Sequence, residues 1–190
     1  MTWFSARARK TPWRELRFLA CDAEMSSLDA RTGHLLSLAW VPVDGAVIHA
    51  GRGEHRLLLA TGDVGDSATI HGIRDSDLVQ GEDPGAVLSD FLAAAAGRVA
   101  IFHHAPLDLA FLNRLHHCCY DSPLSLSVID TLARERRRRQ RRGLLIAPGD
   151  LTLAACRRHY GLPDYPAHDA LGDALATAEL LLAQLVHAGE

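Results

Sequence analysis

Residues 16–25 read LRFLACDAEM, and their two halves make different demands. Leu16 to Cys21 form a short, nearly uninterrupted apolar run, the pattern of a central strand buried on both faces of a sheet. A sheet covered on both sides needs helices above and below it, so the run predicts a three-layer α/β domain. The second half places Asp22 and Glu24 two residues apart, and side chains two apart on a strand project from the same face. Two like charges that close are unfavourable unless protons or cations neutralise them, and hard divalent ions such as Mg²⁺ and Mn²⁺ are held by such oxygen clusters. A strand end that simply reaches solvent is the competing reading of the same two acids.

Outward from this strand, Leu35 to Val43 and Ala46 to His55 flank Asp44-Gly45, a strong short-range signal for a β-hairpin. After a glycine-rich polar stretch at Thr61 to Ser67, Asp83-Pro84 opens a helix that Gly97 stops. Val99 to Phe102 is a short apolar strand leading into His103-His104-Ala105-Pro106, where Pro106 suits the first turn of a helix reaching about His117. A strand near Leu126 to Ile129 and helices over about Asp150 to Tyr160 and Ala170 to His187 complete five strands alternating with helices. Residues 1–15, which mix arginine, two tryptophans and a proline without a period, are expected to be an N-terminal arm, and residues 16–190 one domain.

Composition bounds the rest. The 190 residues are 48% hydrophobic and 23% charged, with a formal net charge of −3, which suits one folded domain with a real core. No apolar run approaches the ~18 residues that cross a bilayer. The four cysteines (Cys21, Cys118, Cys119, Cys156) follow no disulfide or paired CxxC spacing, and the N-terminus has no apolar signal region, so a cytoplasmic setting is expected. Adjacent His116-His117-Cys118-Cys119 would project in divergent directions, which is poor geometry for tetrahedral zinc. Against the acidic average, Arg134 to Arg142 packs seven arginines and one glutamate into nine residues, a local positive field that reads either as a solvated face or as a patch steering phosphates.

Two further acids sit where packing should resist them. Asp108 lies at the end of the apolar stripe formed by Phe111, Leu112 and Leu115, although the helix dipole also favours an acid in a first turn. Asp173 lies on the same side of the last helix as Leu180, seven residues on. His168 is five residues before Asp173, about 140° away on a helix, so it must join these acids from the preceding loop or first turn.

With these residues in place, the chain resembles the DnaQ-like 3'-to-5' exonucleases of the DEDDh type, a superfamily with the ribonuclease H-like fold. CDAEMSSL (residues 21–28) is similar to their first motif, HHAPLDLAFL (103–112) to the second and HDALGDALATAELL (168–181) to the third. HGI at His71 to Ile73 and IDTLA at Ile129 to Ala133 add to the likeness. The resemblance implies a mixed five-stranded sheet flanked by helices. It also implies that Asp22, Glu24, Asp108 and Asp173 hold two divalent ions, Mg²⁺ or Mn²⁺, while His168 is the general base on the attacking water. Two metals can stabilise the entering and leaving oxygens of an in-line displacement at phosphorus, and a neutral histidine can take the proton near pH 7. Met25, Ser26, Leu28, His71 and His104 are the implied substrate contacts.

The implied substrates are 3' ends of single-stranded DNA or RNA, with nucleoside 5'-monophosphates as products. Met25, Ser26 and Ser27 replace the Thr-Thr-Gly common after the motif glutamate in DNA proofreaders, and Glu24-Met25 is reminiscent of oligoribonuclease-like members. The third motif is closer to DNA-directed relatives. A module that binds nucleic acid without cutting it would lack one of the five catalytic residue types, and all five are here. The chain runs seventeen residues past Asp173 without resembling a polymerase-tethering tail, so a free-standing nuclease is expected, with the catalytic domain itself as the remaining route to a polymerase.

Overall fold

The computed structural model describes residues 11–59, 67–166 and 169–188. In chain order it contains strands β1 (Arg17–Met25), β2 (Leu35–Asp44), β3 (Val47–Ile48) and β4 (Glu54–Leu57), then helices α1 (Ala68–His71), α2 (Asp75–Leu78) and α3 (Pro84–Ala95). Strand β5 (Val99–Phe102), helix α4 (Ala105–Tyr120), strand β6 (Val128–Asp130) and helices α5 (Thr131–Arg141), α6 (Leu153–His159) and α7 (Ala170–Ala188) follow.

The sheet runs β3-β2-β1-β5-β6, with β4 also paired to β2. β1 and β2 are antiparallel, whereas β1 with β5 and β5 with β6 are parallel, so the sheet is mixed as expected. Among the described residues it has six strands rather than five. The segment expected to form one strand over Ala46 to His55 is broken by a 3-10 turn at Ala50–Arg52, and its two halves pair separately with β2. Ala50-Gly51-Arg52-Gly53 explains the break: glycines on either side of the arginine weaken an extended ladder. Thr152, whose hydroxyl accepts from the Ala155 N–H, starts α6 later than the expected Asp150.

Alternation along β1 divides the core. Leu19 and Cys21 face a cluster with Trp40, Phe91, Phe102 and Phe111, where α3 and α4 cover the sheet. Phe18 and Ala20 face the opposite cluster with Ile101, Ile129, Leu181 and Leu185, under α7. Both clusters exclude water from Phe18 to Cys21, which have the predicted two-faced burial, while Leu16 is half-buried and Arg17 exposed at the start of the run. Asp22 and Glu24 continue the register of Phe18 and Ala20 and therefore emerge on the α7 face.

The expected arm falls largely on residues 1–10, which lie outside the described residues. Trp13–Glu15 form a 3-10 turn, and Trp13 is buried in the same cluster as Phe18 and Leu185. No helix among the described residues is long and apolar enough to cross a membrane.

Candidate active site

The site forms where β1 outruns its parallel neighbour. Pairing of β1 with β5 ends at Ala20 and Ile101, while pairing with β2 continues through Glu24. The ladder shifts register between Glu24 and Met25, an irregularity of the kind that re-aims side chains beside functional sites. Asp22 and Glu24 thus project beyond the densest part of the core, half-buried and on one face.

Asp173 arrives from α7 because that helix packs directly on β1 and β2. Ala170, Ala174 and Ala178 recur every fourth residue and are essentially inaccessible, and Ala170 and Ala174 pack with Ala39 and Val41 of β2. Small side chains on both partners let the helix descend until its first turn reaches β1. Asp22, Glu24 and Asp173 then place ligand oxygens within 4.8 Å of one another.

Asp108 reaches the same place from the other layer. It is 6% exposed in the first turn of α4. The Ala23 backbone N–H is among its partners. Burial is the largest cause pushing its carboxyl well above the usual range, with Asp130 and Glu24 adding repulsion. Asp22 is likewise raised, by burial first and then by Asp108, Asp173, Glu24 and Asp169. Glu24 is pushed up to about 7, by burial and then by Asp173 and Asp169. Four acids from three distant segments therefore share one electrostatic site, although only three of them fall in the tight 4.8 Å group.

Such a donor set suits hard divalent cations. It is all oxygen and partly dehydrated, and burial together with mutual repulsion raises the proton affinity of Asp22, Glu24 and Asp108, so an ion of charge +2 would relieve the strain. Among the described residues, no thiol or imidazole that would favour a softer metal joins this group.

The remaining expected residues divide. His168 lies outside the described residues. The residue after it, Asp169, accepts from the Gly172 N–H through its side chain and from the Asp173 N–H through its carbonyl, so it caps the turn that carries Asp173. Met25 is half-buried against the α3–α4 side of the core. Ser26 donates its N–H to the His34 carbonyl and accepts the His34 N–H on Oγ, closing the loop between β1 and β2. Leu28, in that loop, is 83% exposed. His104 is exposed at the N-cap of α4 with φ 78°, a left-handed conformation rare outside glycine, and its N–H donates to Asp130 Oδ1 at 3.2 Å. His71 is engaged within its own turn, with Nε2 3.0 Å from Ser67 Oγ and Nδ1 accepting the Ile73 N–H.

Several residues at the site escape sequence reading. Asp130 caps α5 by accepting the Ala133 N–H, holds His104, and adds its charge to Asp108; only the IDTLA resemblance points to it. His55 stands on β4 in the row Asp22, Ala39, His55, and its proton affinity is lowered by burial but raised in part by Asp169. Ser37 is paired with Glu24 across β1 and β2, and its fully buried Oγ has no hydrogen-bond partner among the described residues. The register that makes these residues neighbours exists only after the sheet has formed.

Comparison with known proteins agrees with this geometry. DNA polymerase III subunit epsilon of Treponema pallidum (strain Nichols) is 28% identical over 174 residues, covering 90% of this chain and 77% of that protein. Among solved structures, the zinc-bound complex of E. coli exonuclease I with single-stranded DNA superposes with a TM-score of 0.76 at 16% identity over 93% of this chain. Exonuclease I of Methylocaldum szegediense gives a TM-score of 0.77 at 18% identity over 92%. The chain spans 42% and 41% of the lengths of those two structures. The family model described as Exonuclease (RNase_T) matches residues 19–181, from the middle of β1 to the middle of α7. That span includes every acid of the site, and the chain belongs to the RNase_T exonuclease family, DnaQ-like nucleases with the ribonuclease H-like fold.

Proposed function

We propose that this enzyme removes nucleoside 5'-monophosphates from the 3' ends of single-stranded DNA, using two divalent cations, Mg²⁺ or Mn²⁺, and His168 as the general base. The observation that carries the reading is the convergence of Asp22, Glu24 and Asp173 within 4.8 Å, with Asp108 coupled to them. Such cations, when bound, stabilise charge on the entering and leaving oxygens of an in-line displacement.

The chain's own residues supply the rest. Asp22, Glu24, Asp108 and Asp173 hold the ions. His168, immediately before the Asp169 cap of α7, takes the proton of the attacking water. Leu28, exposed on the loop beside β1, offers an apolar face to the terminal base, while Met25, Ser26, His104 and His71 are the further substrate contacts of the reading. DNA is favoured over short RNA by the similarity to a polymerase III subunit and to an exonuclease solved with single-stranded DNA. The same similarity supports association with a polymerase through the domain itself. A cytoplasmic setting is supported by four cysteines that are all free thiols.

The test is digestion of 5'-labelled single-stranded DNA and RNA oligomers with Mg²⁺ or Mn²⁺, and then with chelator. A ladder shortening from the 3' end that requires metal is expected, and DNA is expected to be the faster substrate. Cleavage that survives chelation, or shortening from the 5' end, overturns the reading.

A further inference from the structure

The arginine run folds as α5, and the fold gives its charges a direction. Arg134, Arg137, Arg138 and Arg141 recur at three- and four-residue spacing, so they share one helix face. With Arg142 and Tyr160, they line a cavity of about 360 Å³ between α5 and the C-terminal half of α7.

The cavity is built rather than accidental. Glu135 is fully buried and accepts from Arg138 and Arg139, and it also accepts the Tyr160 hydroxyl. Arg138 lies over the Tyr160 ring at 5.2 Å. One buried carboxylate thus fixes a guanidinium at the cavity wall. Arg139 has a second acid, Asp150, at 3.5 Å. Arg137, Arg141 and Arg142 are exposed and have no acidic partner among the described residues. Like charges at this spacing repel one another on a bare helix, so the face is unfavourable until an anion occupies it. Planar guanidinium forks are the side chains best matched to phosphate oxygens.

Its position relative to the acids indicates which phosphates. Helix α7 lies on the sheet face onto which Asp22 and Glu24 project and begins three residues before Asp173, whereas α5 begins beside the C-terminal half of α7, where the Gln184 side chain donates to the Thr131 carbonyl. At a rise of about 1.5 Å per residue, Gln184, which also lines the cavity, lies about 16 Å along α7 from Asp173. At about 3.4 Å per stacked nucleotide, that is the reach of roughly five nucleotides.

We infer that this arginine cavity is a second phosphodiester site, which grips the backbone of the substrate strand about five nucleotides before the 3' end held at the acids. The inference rests on the exonuclease reading above. It predicts a length dependence that a diffuse positive field does not give.

The test compares binding of 5'-fluorescein (dT)3 and (dT)12 to the cleavage-impaired Asp173→Asn protein, with and without Arg137→Ala/Arg141→Ala/Arg142→Ala, by anisotropy between 50 and 300 mM salt. We expect the triple change to weaken (dT)12 by at least about tenfold and to lower its salt slope by about 2, with (dT)3 unchanged, since each phosphate contact on a single strand contributes about 0.7. The corresponding lysine triple keeps the charge and should retain most of the slope. Equal weakening of (dT)3 and (dT)12 would leave only a general field and overturn the inference, as would an unaltered (dT)12 affinity. If the triple change instead abolishes competition by dTMP or inorganic phosphate while (dT)12 binds as before, the cavity is a mononucleotide site and the strand assignment is wrong. Hydrolysis of (dT)3 by protein retaining Asp173 separates the two levels: its absence removes the exonuclease reading, whereas its presence with a null triple variant removes this inference alone. Matching melting temperatures confirm that the variants fold.

Discussion

Asp22 near the end of β1 and Asp173 in the first turn of α7 stand almost the whole chain apart in sequence, yet their carboxylate oxygens lie within 4.8 Å of each other. Nothing local brings them together. Alanines on α7 and β2 set the distance by letting helix and sheet approach, and the Asp173 charge is among those that raise the proton affinity of Asp22. The core thereby stores repulsion that a cation can release.

Replacing either acid by its amide should therefore separate activity from stability. Asp22→Asn and Asp173→Asn are expected to lower metal-dependent cleavage by at least about 100-fold, beyond the 10–100-fold losses typical of residues that only support a metal ligand. In chelator the same variants should melt higher than wild type, because a repelling charge has been removed. Calorimetry alongside a gel assay checks both. A lower melting temperature in chelator would mean that the acids are structural.

Glu24 offers a pH signature. Its folded carboxyl is pushed up to about 7, while the unfolded chain titrates near 4.5, so between these values the metal-free folded state holds the extra proton. Stability contributed by that proton is fully present below about 4.5 and is lost as pH rises toward 7. Buried histidines, lowered by desolvation, act in the opposite sense, so the informative quantity is wild type minus Glu24→Gln. In chelator, Glu24→Gln should gain melting temperature over wild type progressively from pH 5 to pH 8. A constant difference across that range counts against the raised pKa.

Leu28 provides a contact test free of folding effects. With 83% of its surface exposed, it contributes little to the core, and Leu28→Ala should change stability by no more than about 0.5 kcal/mol. If its side chain meets the terminal base, KM for short DNA rises several-fold while Mn²⁺ affinity is unaltered. Steady-state kinetics with an unchanged KM would remove Leu28 from the substrate surface.

Arg157 is the residue through which the loop before His168 is anchored. Only 2% exposed, it donates to the carbonyls of Ala176 and Pro163, lies 2.8 Å from Glu179, and stacks 4.4 Å from the Tyr165 ring. Tyr165 in turn donates to Glu179. Arg157→Met is expected to cost about 3 kcal/mol, since breaking a buried pair strands its partner. It should also lower kcat more than it raises KM, as the loop carrying the proposed base loosens. Denaturant melts and kinetics below the melting range measure the two effects. A kcat equal to wild type would show that the anchor serves stability alone.

Much of the fold was legible because it depends on short-range patterns. The apolar run before Asp22 specified burial on both faces, and Asp44-Gly45 placed the turn after β2. Proline and glycine marked the limits of α3. The sixth strand was not legible, because a two-residue strand such as β3 has no period and is defined only by the partner it finds on β2. The late start of α6 escaped for a similar reason, since Thr152 acts as a cap only once its hydroxyl meets the Ala155 N–H.

What the sequence determined by itself was the inventory and its local orientation: which acids share a strand face, which sit on the packed side of a helix, and which motifs occur in which order. Only the tertiary structure decided their convergence, the closeness of α7, the roles of Asp130 and Asp169, and the arrangement of the arginines of α5 into a cavity with Tyr160. The physical reason is one of range. Backbone periodicity fixes where side chains point over a few residues, whereas the electrostatic coupling of Asp22 to Asp108 and Asp173 depends on distances that exist only when the sheet and its two helical layers have closed together.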